Sequence, residues 1–416
     1  MGADDTLSAR MAASYRLVWS LVVLGWVGNY LVRMALPALL PLIIAELGLS
    51  YTRAGMLATG AFFWAYAAIQ LPAGVLGDRF GRRLVLVCGL VVGAAASLLT
   101  GLASGFGALL SARLLTGLAQ GCSFSNDRAI IAAVTPREKL ALGQAISFSG
   151  PGLGITSGLL LGGLLGTLMP WRQVFFVVAG APLLAALLIA RLVPESRRAH
   201  DRAGLGARLR LVLAQPDLWV LGLSGTAVMW AQYAVATWAP MLFMQVGVER
   251  LEHAAFLASL QGAGGVGGLV LGGALSDRAR RRGVSHKVVA AVGLLGTALS
   301  LAAMALVLRA NGSPAALLAT VLAMAVCSWG VWGPSFALLG EVFTGKDVST
   351  AFGLYNMLCV LGAATGPVVL GLTRDLSGSF APGCAIAAAA AAAGAVAVLA
   401  VRPAFRLAAP VVHARV

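Results

Sequence analysis

Apolar runs of roughly 20 residues, separated by short polar stretches, recur from one end of the chain to the other. That is the length an α-helix needs to cross the hydrocarbon of a bilayer. Twelve such runs are read from the pattern: 17–39, 54–77, 84–103, 106–131, 141–166, 172–193, 217–244, 253–275, 287–308, 314–341, 349–372 and 380–401. Lipid cannot satisfy backbone polar groups, so each run must satisfy its own by forming a helix. The runs also lack the strict alternation of a barrel strand. The pattern therefore predicts an all-α membrane protein with twelve transmembrane helices.

The polar stretches repeat as well. Gly74-Val-Leu-Gly-Asp78-Arg79-Phe-Gly81-Arg82-Arg83 follows the second run, and Gly272-Gly-Ala-Leu-Ser-Asp277-Arg278-Ala-Arg280-Arg281-Arg282 follows the eighth. Each has a small-residue approach, an Asp-Arg pair and a basic cluster. A second match lies inside the runs. Tyr233-Ala-Val235-Ala-Thr-Trp-Ala-Pro240 superposes on Tyr30-Leu-Val32-Arg-Met-Ala-Leu-Pro37 at the Tyr, the Val and the Pro. A parallel duplication of six helices explains both matches. It divides the chain into an N-terminal bundle over 1–193, a basic linker over 194–216 with few large apolar residues, and a C-terminal bundle over 217–416.

Composition agrees. The 416 residues are 59% hydrophobic and 11% charged, with a mean hydropathy of +0.90, outside the range of ordinary soluble domains. The net charge of +15 would suit a nucleic-acid partner, but its distribution argues otherwise. Arg and Lys concentrate in alternate loops, among them Arg79, Arg82, Arg83, Arg197, Arg198 and Arg280–Arg282. By the positive-inside rule this places those loops and both termini in the cytoplasm, as in a bacterial inner-membrane protein. No cleaved signal peptide is expected. The five Cys lie in or at the ends of apolar runs, the four His in loops or at the C-terminus, and none has metal-ligand spacing. Neither a metal nor another cofactor is expected, nor any catalytic residue.

The candidate chemistry lies in polar residues inside apolar runs. Arg33 sits well within the first run, where a charge is costly, so it should face a cavity or a partner unless it snorkels to the surface. Asn29 is one turn before it, on the same face. The second run carries Tyr66 and Gln70. The fourth carries Arg113, Gln120 and Asp127 at seven-residue steps, a single polar stripe on a continuous helix. Asp127 is the only acid deep in the predicted spans and hence the proton-site candidate, although Arg113 and Asp127 also suit a structural role between helices. Gln232, Tyr233, Trp332 and Asn356 come from later runs at compatible depths. The fifth run is dense in small residues around Gly150-Pro151 and Gly154, a close-packing signal.

Gly74, Asp78, Arg79, Gly81, Arg82 and Arg83 match the loop motif of the major facilitator superfamily, and Arg113 with Gly117 matches its fourth-helix motif. The chain resembles that family along nearly its whole length. The resemblance implies two pseudo-symmetric six-helix bundles around a central cavity. Asn29-Tyr30-x-x-Arg33 is similar to the first helix of the anion:cation symporters, and Tyr30-Leu-Val-Arg33 to that of the organophosphate:phosphate antiporters. In both, the Arg at this position binds the substrate anion. The chain departs from them at Val32, where symporters carry Asp, and at Gln120, where they carry Glu. It departs again at Gln232, where phosphate antiporters carry a second Arg, and at Ala133, where an acid is usual; the second-half counterpart of that acid is Glu341. The resemblance implies a gating set of Asp78, Arg79, Arg82, Arg113, Asp277, Arg278 and Glu341.

The expectation is a secondary transporter, acting as a monomer in the bilayer, that moves a small organic anion with protons or by exchange. The substrate would be held by Arg33, Tyr30, Asn29, Tyr66, Gln120, Gln232, Tyr233, Trp332 and Asn356. Gly150-Pro151 and Asp127 favour the alternative of a proton-coupled efflux pump for lipophilic compounds. A transporter-like receptor or a membrane enzyme finds no support, since the chain lacks a nucleophile constellation, a nucleotide loop and room for a soluble domain.

Overall fold

The computed structural model describes residues 3–136, 139–195, 205–343 and 348–402. Residues 196–204 of the expected linker, with Arg197 and Arg198, lie outside the described residues.

Six helical segments precede the linker and six follow it. The first set is α1 (Ala3–Leu47), α2, α3 (Arg82–Leu102), α4, α5 (Leu140–Leu168) and α6 (Trp171–Val178 and Gly180–Leu192). Here α2 runs through Tyr51–Gly55, a π-helical turn Met56–Gly60 and Ala61–Phe80, and α4 through Phe106–Gly121 and Ser123–Val134. A short linker helix, Leu205–Leu213, leads to the second set. That set is α7 (Pro216–Gln245), α8 (Leu251–Arg281), α9 (His286–Arg309), α10 (Pro314–Gly330 and Trp332–Val342), α11 (Val348–Ser377) and α12 (Ala381–Leu399). Ten of these are long and apolar enough to cross a membrane, or eleven with the two arms of α2 counted as one span. The arms of α2 meet at a 50° bend beside Pro72, which has no N–H to give the helix. The remaining segment, α4, is interrupted at Cys122 and carries Arg113, Asp127 and Arg128, which lower its hydropathy.

Within each half, α1 packs on α5 and α6, and α7 on α11 and α12. Between halves, α5 lies along α8, α2 along α11, and α1 touches α7. Glycine permits the closest of these approaches. A Cβ at Gly154 would stand 2.3 Å from Cβ of Tyr30, and one at Gly163 would stand 2.1 Å from Cβ of Ala255. The small residues of α5 thus serve helix packing, against α1 on one side and across the bundle interface to α8 on the other. Near its far end α2 is tied to α4, where Asn126 Nδ2 donates to the Ala73 carbonyl over 3.2 Å. Because α5 runs antiparallel to α8, the Asp78 and Asp277 loops share one face of the molecule, called here the basic face.

On the opposite face the two bundles are clasped. Asp375 of α11 accepts from the backbone N–H groups of Tyr51 (2.9 Å) and Thr52 (2.8 Å) and from the Thr52 hydroxyl (2.6 Å), at the start of α2. Tyr51, Trp238 and Phe380 pack as a ring cluster beneath it, with centroids 5.2–5.8 Å apart. Toward the basic face, Asn356 Nδ2 of α11 donates to Gln70 Oε1 of α2 over 2.9 Å.

Candidate functional site

Between these two links lies a cavity lined by both halves. Arg33 of α1 is its charged element, and it is only 2% exposed. The guanidinium carries five N–H donors, and three of them are engaged. Nε and Nη2 both reach Gln120 Oε1, at 3.1 and 2.8 Å, and Nη1 reaches the Tyr233 hydroxyl at 3.1 Å. One N–H on each terminal nitrogen remains. Gln120 Nε2 donates to the Asn29 carbonyl over 3.0 Å, which turns its Oε1 toward Arg33. Four rings surround the cation: Tyr30 at 4.1 Å, Phe62 at 4.4 Å, Phe63 at 5.4 Å and Tyr66 at 5.7 Å from centroid to guanidinium carbon. Ring faces carry partial negative charge, which suits a desolvated cation. Among the described residues Arg33 forms no ion pair.

The repeat meets itself at this point. Tyr30 and Tyr233, 203 positions apart, share a hydrogen bond of 2.8 Å between their hydroxyls. Residues equivalent by duplication touch each other only near a pseudo-twofold axis, so the cavity straddles that axis. At the next turn the equivalence fails, since Ala236 stands where the first half has Arg33, and it lines the same cavity.

Seven of the expected substrate residues line the cavity: Tyr30, Arg33, Tyr66, Gln232, Tyr233, Trp332 and Asn356. Two do not. Gln120 stands behind Arg33 as its hydrogen-bond partner. Asn29 faces a separate, smaller cavity inside the first bundle, shared with Ser123 and Asp127, and its Nδ2 donates to Ser123 over 3.1 Å. Sequence reasoning missed Trp26, Phe63, Phe124, Gln261 and Trp329, which also line the main cavity. The aromatic ones carry no distinguishing signal in an apolar run. Gln261 does, as a lone amide among the glycines of α8.

The expected stripe on α4 divides. Gln120 serves Arg33. Arg113, fully buried, lies over the Phe175 ring at 5.6 Å, and its guanidinium nitrogens have no hydrogen-bond partner among the described residues. Asp127, beyond the break at Cys122, is 1% exposed. It accepts from Trp26 Nε1 (2.5 Å) and the Arg128 N–H (2.6 Å), with Arg128 Nε 3.7 Å away. Trp26 lines both cavities and so is the wall between Asp127 and the main one.

Among the described residues, the recorded contacts of the expected gating residues on the basic face lie within one bundle. Asp78 bonds Arg82 one turn on, at 2.8 Å, and Arg79 lies over the ring of Phe80. In the second half Glu341 sits 3.4 Å from Arg280 and 3.7 Å from His286, while Asp277 and Arg278 are exposed.

A buried cavity on a two-bundle interface, reached by helices from both repeats, is the site of a carrier. The Major Facilitator Superfamily model matches residues 22–285, and the chain belongs to that family. It is a multi-pass membrane transporter, not an enzyme. It is 26% identical over 404 residues to the probable sulfoacetate transporter of Cupriavidus necator, covering 92% of each chain. It is 28% identical over 362 residues to the probable anion transporter 4, chloroplastic, of Oryza sativa subsp. japonica, covering 80% of this chain but only 59% of the rice protein. In fold it is similar to the crystal structure of a bacterial homolog to the human lysosomal transporter Spinster in an inward-facing, occupied conformation. That match has a TM-score of 0.75 and 19% identity, and it covers 93% of this chain and 94% of the other.

Proposed function

We propose that this protein is a secondary transporter that moves a small organic anion, a carboxylate in the first instance, across the bacterial inner membrane by alternating access. One observation carries the reading. Arg33 is a permanent cation buried on the pseudo-twofold axis, and its described partners are neutral oxygens and rings. An uncompensated buried charge costs several kcal/mol, and a transported anion offsets that cost for as long as it is bound. The two free N–H groups, one on each terminal nitrogen, match the two oxygens of a carboxylate. The names of the sulfoacetate and anion transporters above support the same class of substrate.

In this reading the basic face is cytoplasmic, 194–216 links bundles over 1–193 and 217–416, and the monomer is the working unit. The Asp78-Arg79-Arg82 set and its counterpart Asp277-Arg278-Glu341 tie the bundles together on the cytoplasmic side in one of the two states and release them in the other. Asp127, separated from the anion by Trp26, carries the coupling proton; if it does not, the carrier is an anion exchanger or uses another ion. The test is uptake into proteoliposomes of a panel of radiolabelled carboxylates, with cationic dyes as controls. Wild type is expected to take up at least one carboxylate saturably, and Arg33→Ala to abolish it. Saturable carboxylate uptake with unchanged affinity in Arg33→Ala would refute the anion reading and promote dye efflux.

A further inference from the structure

The cavity wall contributed by α7, α8, α10 and α11 carries three amides, Gln232, Gln261 and Asn356, beside the Tyr233 hydroxyl and the indoles of Trp329 and Trp332. Gln261 of α8 is the one of the three with a fully buried polar atom left without a partner among the described residues. It lines the cavity and is 1% exposed. Its Nε2 donates to the backbone carbonyl of Gln232 over 3.2 Å. That bond fixes the amide, because the flipped orientation would set two oxygens against each other. The Oε1 is therefore the atom left over, and it has no partner among the described residues. Gln232 next to it places its Nε2 on the Ser328 hydroxyl at 3.4 Å. A buried acceptor without a donor is rare in a settled core, and the side chain that carries this one lines the cavity.

We propose that Gln261 is a specificity-determining residue, and that its Oε1 accepts a hydrogen bond from an O–H on the substrate at the end remote from the carboxylate. The proposal rests on the anion reading above, which orients the substrate with its carboxylate at Arg33. The substrate class narrows accordingly to hydroxylated carboxylates. A neutral acceptor suits a hydroxyl, whereas a second carboxylate would place oxygen against oxygen. A site built around a buried polar group also rejects the analogue that leaves it unpaired. This rejection supplies discrimination that the aromatic walls, tolerant of any apolar chain, do not.

The experiment compares 4-hydroxybutyrate with butyrate, and gluconate with hexanoate, as competitors of carboxylate uptake in proteoliposomes holding the full chain. In wild type the better hydroxylated member is expected to compete about tenfold more strongly than its deoxy partner. In Gln261→Leu, close in shape but without the acceptor, that ratio falls to about one, because the penalty on the deoxy acid and the bond to the hydroxyl are lost together. Retained competition by the deoxy acid also shows that the variant is folded. A wild-type ratio of one, or a ratio that survives in Gln261→Leu, overturns the proposal. Failure of the anion reading has a different signature, since competition by both members would then be indifferent to Arg33→Ala.

Discussion

The two halves of this chain descend from one pattern and have parted where it matters. On the first half's side of the cavity, α1 brings Arg33, α4 brings Gln120 to hold it, and four rings close around the cation. On the second half's side, α7 keeps the tyrosine and the proline of the repeat but has Ala236 at the position of Arg33. Its polar groups are uncharged: the amides Gln232, Gln261 and Asn356, the Tyr233 hydroxyl and the indoles of Trp329 and Trp332. Backbone and packing are conserved between the halves because both must form the same bundle. The cavity side chains are free of that duty, so one pole has become charged and the other neutral. The contrast suits the ligand proposed above, with one anionic end and one end that hydrogen-bonds without charge.

Three substitutions press on that contrast. The largest effect is expected at the charged pole. Arg33→Lys keeps the cation but loses the planar fork and its two hydrogen bonds to Gln120 Oε1, and it should weaken carboxylate affinity about tenfold or more, or about 1.4 kcal/mol. Competition uptake measures this, and an affinity within twofold of wild type would mean that charge alone makes the pole. Next is Asp127→Asn, which keeps the size and the Trp26 contact but removes the titrating group. Accumulation driven by a pH gradient should disappear while anion exchange at equal pH persists. Accumulation that survives the change assigns the proton elsewhere or makes the carrier an exchanger. The smallest is Gln120→Ala. It strips a neutral acceptor from Arg33 without touching the ligand, so affinity should fall by only about threefold to tenfold, the range of one hydrogen bond to a charged group with water able to enter. A loss as complete as that of Arg33→Ala would place Gln120 in direct contact with the anion and redraw the charged pole.

Much of this was legible in the sequence. Helix number, repeat and shared face follow from run length, the two Asp-Arg loops and the Tyr-Val-Pro match, because lipid forces every run into a helix. Arg33, Tyr66, Tyr233, Gln232 and Asn356 could be read as cavity residues because a polar group in an apolar run has few other places to go. What stayed hidden is direction around the helix axis. Asn29 shares a face with Arg33 by spacing, yet faces the inside of its own bundle. The seven-residue stripe of α4 likewise turns toward α1, with Gln120 on Asn29 and Asp127 on Trp26, rather than into the main cavity. Phe63, Trp329 and the π-turn at Met56–Gly60 have no signature at all in a chain this apolar, since they are set by contacts between distant segments.

The clasp on the face opposite the basic loops has a consequence for the start of α2. That helix begins with two kinds of cap. Ser50 accepts from the Arg53 N–H over 3.2 Å and belongs to the same bundle. Asp375 caps Tyr51 and Thr52 but belongs to the other. A helix end normally completes its hydrogen bonding with residues close by in sequence. Here one cap is permanent and the other is on loan from a helix more than three hundred residues away, and it is returned whenever the bundles part on that side. The secondary structure of α2 and the position of the gate are thus one equilibrium. The amide protons of Tyr51 and Thr52 sit on it as native reporters, and their exchange with deuterated solvent measures how often that face opens, with no label added to the protein.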